Sequence, residues 1–269
     1  MSKKLSKKSI KKKIKITLKE SIKKFFHNKE VQVFHPLDLI FPKERRIRSL
    51  IGGLETSLGT RVWEPVAKEL AKNNGFTVLN EKEFNDSVPV IETALMHKLS
   101  DFKTNKLLNK DVLCVDHFAA TKKYMKENKI LTSSYTKIPK GEGVDLWLQK
   151  NGTEYLIDLK TTQVNAGSGP KFLENVLKWY TYQALKGVKK TKCFIGFPFN
   201  PHKKNDFWKK EGGKIAPLLQ DKEAYVADNF WDMLSGHKNS TEMIFEVFEE
   251  LGQENFGSEF EDIFTNHSD

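Results

Sequence analysis

Apolar residues recur every fourth position from Ile10 through Ile14 and Leu18 to Ile22, and lysines fill most of the places between them. That spacing predicts an amphipathic helix whose apolar stripe needs a surface to cover. A second helical pattern opens at Pro42 with apolar residues at 47, 50, 51, 54 and 58, until Gly59 and Thr60 interrupt it. Thr60 then reads as the N-cap of another helix, with Val62, Val66, Ala67, Leu70 and Ala71 on one face. Pro65 is tolerated only near the start of that helix, and Gly75 is its natural stop. FTVL follows as a short strand. Residues 85–140 are mostly helical in pattern, with helices expected near 90–108 and 116–128.

The period then changes from 3.6 to two. In GVDLWLQKNGTEYLIDLKTT, from Gly143, two apolar runs flank Asn151-Gly152. Asn-Gly between such runs predicts a hairpin with a type I′ turn, because both central positions need positive φ. A two-residue loop pairs Lys150 with Thr153 and, carried along the strands, sets Asp145 opposite Asp158. Val144, Leu146, Leu148, Tyr155, Ile157 and Leu159 then share one apolar face. The other face carries Asp145, Trp147, Glu154, Leu156, Asp158 and Lys160. Like charges directly opposite each other are destabilising unless a cation lies between them. Oxygen ligands without His or Cys suit Mg²⁺ better than zinc. The bland alternative is a pair of solvent-facing acids neutralised by Lys160 or Lys150.

Beyond the hairpin, a helix is expected over about 171–184, a strand at KCFIGFPF, a basic aromatic loop at HKKNDFWKKEGGK, a helix near 223–235 and an acidic helix near 241–251. Composition sharpens this picture mainly through charge. The chain of 269 residues has a net charge of +10, yet residues 1–24 hold eleven lysines and one glutamate, while Glu242–Asp269 holds nine acids and no Lys or Arg. A basic body suggests a polyanionic partner, with nucleic acid the leading candidate. Neither a signal segment nor a run of about 18 apolar residues is present, so the chain reads as cytoplasmic and without a membrane partner. Cys114 and Cys193 stand far apart and read as buried free thiols.

The acid at the start of one strand, followed on the next by acid-any-lysine, resembles the signature of the PD-(D/E)xK nuclease superfamily, with Asp145, Asp158 and Lys160 in the three roles. Val144 stands where many members have proline. Many members also carry a glutamate on a preceding helix, followed by Gly and an aromatic. Glu64, ahead of Gly75 and Phe76, is similar, and Glu55 is the runner-up. RIRSLIGGLETSLGTRVWEPVAKELA and the hairpin through Lys171 resemble Type II restriction endonucleases of the TdeIII-like group, over roughly residues 36–180.

The resemblance implies an α/β (α+β) fold: a central mixed β-sheet flanked by helices, a restriction-endonuclease-like core and a helical insertion. It divides the chain into a partly helical basic arm at 1–35 and a nuclease domain at 36–269, with the catalytic core at 42–82 and 141–200 and the insertion at 85–140. It further implies Mg²⁺-dependent cleavage of double-stranded DNA at a short palindrome of GGNCC type, leaving 5′-phosphate ends. Asp145, Asp158 and Glu64 would hold metal, Lys160 would serve the attacking water, and a homodimer would match the palindrome. The DNA contacts expected from two basic or glycine-rich loops are Gln163, Asn165, Lys171, Lys203 and Lys204. A Holliday-junction resolvase or repair nuclease would share the catalytic residues, but the long insertion between Leu79 and Asp145 favours a specificity-bearing enzyme. A catalytically silent DNA-binding protein would use the basic segments without the acids.

Overall fold

The computed structural model describes residues 5–27, 29, 35–132, 134–160, 164–203 and 205–265. The lysine-rich stretch forms helix α1 (Lys7–Phe26), started by the Ser6 side chain, which accepts from Ser9 N–H. Ile10, Ile14 and Leu18 are buried, so the stripe does find a surface. That surface comes from α3 (Glu64–Asn73) and α10 (Ser240–Gln253). Lysines flanking the stripe meet the acids of α10: Lys11 pairs with Glu246 and Glu250, and Lys15 with Glu250 and Glu254. The two oppositely charged ends of the chain therefore lie side by side.

Helix α2 (Pro42–Leu58) does not stop at Gly59. It continues through one π-helical turn, Gly59–Trp63, into α3, and Glu64 N–H donates to the Gly59 carbonyl five residues back. Thr60 is thus not an N-cap, contrary to the pattern-based expectation. Pro65 supplies the reason: it has no N–H for the Arg61 carbonyl, and its ring clashes with a normal α-turn at that point.

The main sheet runs β1 (Thr77–Val78), β4 (Leu146–Lys150), β5 (Thr153–Leu159), β6 (Lys190–Phe197), β7 (Ala224–Val226) in spatial order. β1, β4 and β5 pair antiparallel, whereas β5, β6 and β7 pair parallel, which makes the sheet mixed. Helix α7 (Ser168–Leu185) is the crossover between β5 and β6. The hairpin keeps the expected register, Lys150 facing Thr153 and Leu146 facing Ile157. Asn151 and Gly152 take the positive φ values, 50° and 72°, that their turn requires.

Both faces of the sheet are covered. Leu146, Leu148, Ile157, Leu159 and Phe194 join the core with α1, α3, α9 (Asp228–Ser235) and α10. Leu156, Cys193, Ile195 and Phe197 join the core with α7. Val144 departs from the expected alternation and sits in this second core. The regular ladder ends at Leu146, and Asp145 N–H reaches the Ile157 carbonyl, so the strand changes course just before the acid.

Between β1 and β4 lie α4 (Glu81–Asp86), α5 (Thr93–Leu108) and α6 (Cys114–Glu127), together with a small ladder of β2 (Val88–Pro89) on β3 (Tyr135–Thr136) that the helical pattern did not reveal. The basic loop is also partly ordered otherwise: Phe207–Ile215 is helix α8, capped by Asp206. The helix expected from 223 begins only at Asp228, because Ala224–Val226 extends the sheet as β7. Helix α11 (Glu261–Thr265) ends the described chain. Cys114 and Cys193 are free and buried. Among the described residues, no helix is long and apolar enough to cross a membrane.

Candidate active site

The end of the hairpin opens into a cavity of about 370 Å³. Asp145, Asp158 and Lys160 line one wall, Thr60 and Glu64 from the π-turn junction line another, and Asn85 and Gly143 close a third. Three residues of the hairpin and one of the preceding helix thus meet around one space. Glu55 is exposed on α2 and lies outside that lining, so geometry favours Glu64 between the two glutamates.

Asp158 is 5% exposed. Lys160 Nζ lies 2.7 Å from its Oδ1 and 2.6 Å from its Oδ2, gripping the carboxylate from one side. Burial raises the Asp158 pKa; the Lys160 ammonium counters this, and the nearby Asp145 carboxylate adds to it. Asp145 is itself fixed at one oxygen, where Leu159 N–H donates to Oδ2 at 2.6 Å. Its carboxylate therefore takes the place of a backbone acceptor where the ladder has ended. Lys160 N–H is tied to the Gly196 carbonyl at 2.9 Å, holding the end of β5 against β6.

Glu64 is 9% exposed, and its pKa is pushed up to about 8, first by burial and then by the charge of Asp145. Lys68 offsets this only in part, because its ammonium is 3.8 Å from Glu64 and 2.7 Å from Glu81. Three acids thus face the cavity with one close ammonium. That excess of desolvated negative charge, carried by hard oxygens alone, fits a divalent cation of the Mg²⁺ type. Even so, no three His, Cys, Asp or Glu side chains among the described residues already stand in a metal-holding arrangement. The Lys160 ammonium instead neutralises Asp158.

The raised Glu64 pKa gives a pH prediction. Its unfolded value is near 4.5 and its folded value near 8. Below about pH 4.5 the group is neutral in both states and costs nothing. As pH rises toward 8, the unfolded chain loses its proton first and gains stability relative to the fold. Metal-free wild type should therefore lose stability relative to Glu64→Gln across that window, by at most about 5 kcal/mol. Urea midpoints of the two proteins at pH 5 and pH 8.5 measure this, and an unchanged gap would contradict the buried acid.

The expected DNA contacts are only partly placed. Gln163 and Lys204 lie outside the described residues. Asn165 is exposed in the loop leading into α7, Lys171 is exposed in the first turn of α7, and Lys203 is exposed in the loop before α8. The start of α7 lies against the end of α8, since a Cβ on Gly169 would meet the Ala216 carbonyl oxygen. Parallel pairing of Leu159 with Gly196 makes both loops leave the sheet at the end where Lys160 stands. In a parallel arrangement that is where ligands bind.

Asn85 is a site residue that pattern reading missed. Its side chain holds both backbone groups of Val144, beside Asp145, and nothing in EKEFNDS distinguishes it from an ordinary polar helix end. A second cavity of about 310 Å³, between α5 and α6, is lined by Phe102, Asn105 and His117. Burial holds the His117 imidazole down to about 4, so that cavity presents a neutral ring and no acid cluster.

The Type II restriction endonuclease MjaII of Methanocaldococcus jannaschii is 24% identical over 224 residues, which cover 79% of this chain. The chain spans 57% of that relative's length. No solved structure matches. The family model described as Type II restriction endonuclease, HinfI, matches residues 2–252, and the chain belongs to that family.

Proposed function

We propose that this chain is a Mg²⁺-dependent, site-specific endonuclease of double-stranded DNA. The observation that carries this reading is the meeting of Glu64, Asp145, Asp158 and Lys160 in one cavity. Phosphodiester hydrolysis needs an in-line water, charge neutralisation at the phosphate and help for the departing 3′ oxygen. Asp145 and Asp158, with Glu64 across the cavity, would hold the metal. Bound there, Mg²⁺ supplies Lewis acidity and lowers the pKa of a coordinated water. Lys160 orients the water and offsets negative charge developing on the phosphoryl oxygens. The products are 5′-phosphate and 3′-hydroxyl ends.

Each chain carries one such acid set, so cutting both strands of a palindrome calls for a homodimer. The resemblance of residues 36–180 to the TdeIII-like group supports a GGNCC-type palindrome as the site. The protein works in the cytoplasm on duplex DNA, with Gln163, Asn165, Lys171, Lys203 and Lys204 as its contacts.

A plasmid digest with Mg²⁺, followed by sequencing of the ends, tests the whole reading. Discrete fragments with one flanking sequence and 5′-phosphates are expected. Cutting confined to branched DNA would replace this reading with junction resolution. Binding without cutting under any divalent ion would leave a DNA-binding protein.

A further inference from the structure

The catalytic reading accounts for the acids and the lysine but not for Asn85, which lines the same cavity from the end of α4. Its Nδ2 donates to the Val144 carbonyl at 2.9 Å, and its Oδ1 accepts from Val144 N–H at 2.9 Å. One side-chain amide thus does for Val144 what a neighbouring strand would do. The substitute is needed there, because the regular ladder ends at Leu146 and Val144 has turned into the other core. Asn85 is itself held through its carbonyl, which accepts from Ile138 N–H at 2.8 Å. Both ends of the helical insertion are thereby stitched to the residue beside Asp145.

Gly143 makes the clamp possible. A Cβ at that position would stand 2.7 Å from Asn85 Oδ1 and 2.8 Å from its Cγ, closer than real atoms approach. Its freedom from a side chain is thus spent on the close approach of this amide.

We propose that Asn85, seated against Gly143, is a positioning residue that fixes the backbone of Val144 and so aims Asp145 into the cavity. The inference rests on the proposed nuclease reading. It concerns an amide that need touch neither DNA nor metal. A carboxylate displaced by even a fraction of an ångström loses its alignment with its partners, which costs turnover more than substrate binding.

The test compares Asn85→Ala, Gly143→Ala and the double variant in the full chain. Three quantities are read: Mn²⁺ affinity of the DNA-free protein by calorimetry, kcat and KM on duplex, and the thermal midpoint. Each single change should lower kcat roughly 10- to 100-fold and weaken Mn²⁺ binding by about tenfold, with KM within about twofold of wild type. The double variant should be no worse than Asn85→Ala, because both changes break one contact. Gly143→Ala retains the Asn85 amide but pushes it off Val144, and serves as the second probe if Asn85→Ala folds poorly. Wild-type kcat and Mn²⁺ affinity in Asn85→Ala would overturn the inference. So would a raised KM with unchanged kcat, or additive losses in the double variant. Failure of the nuclease reading looks different, since wild type itself would then cut no DNA.

Discussion

Asp158→Asn should lower DNA cleavage by on the order of 10³-fold while leaving the protein at least as stable as wild type. The substitution keeps the shape of the side chain and removes its charge. In the folded protein that charge is desolvated and sits near the Asp145 carboxylate, so its loss relieves a like-charge contact. Lys160 is left without its partner, but its side chain is 36% exposed and water can take over. A residue kept only for structure would behave in the opposite way, giving lower stability and retained activity. Duplex binding in Ca²⁺ should stay within about twofold of wild type, because phosphate contacts rather than the buried acid provide affinity. Three measurements settle it: initial cleavage rate in Mg²⁺, thermal midpoint without metal, and a binding isotherm in Ca²⁺. Near-normal cleavage would remove Asp158 from the mechanism and leave the other acids without a centre.

The second large effect lies far from the cavity. Leu18→Ala should cost about 2–5 kcal/mol and lower the thermal midpoint by roughly 5–15 °C. Leu18 is fully buried in the core that includes Val66, Leu70, Ile244 and Val247. A loosely tethered basic arm would register nothing on losing one leucine. Lys15→Ala offers the contrast. It deletes the pairs with Glu250 and Glu254 but should lower the midpoint far less, because those partners are hydrated and their attraction is screened. Differential scanning calorimetry of both variants at low and high salt separates the two contributions. If Leu18→Ala melted with wild type, the packing of α1 on α3 and α10 would be wrong.

That contrast bears on how charge is read from a sequence. The basic balance of the chain suggested a polyanionic partner, but Lys11, Lys15 and Lys19 of its lysine-rich end are paired with acids of the C-terminal segment. Formal charge adds along the chain, whereas the field outside depends on who stands beside whom. The π-turn before Glu64 teaches a similar lesson. Pro65 was visible and correctly placed near a helix start, but a proline can widen a helix as well as begin one. Across this turn the Thr60 hydroxyl bonds the Glu64 carboxylate and counters part of the rise in its pKa. The start of α8 was legible in principle, since Asp206 is a standard N-cap, but the paired glycines at 212 and 213 obscured it.

What the sequence determined by itself is local: the register of the Asn151-Gly152 hairpin, the near-opposition of Asp145 and Asp158, the place of Lys160, and the apolar stripes of α1 and α3. These follow from side-chain period and turn geometry, which neighbours along the chain dictate. The tertiary structure alone decided that Glu64 faces those acids, that Asn85 holds Val144, that α1 is buried and that both faces of the sheet are covered. Each of these joins residues far apart in the chain, and the energy that selects them comes from burial and from satisfying backbone groups where the ladder stops. No local pattern records that energy.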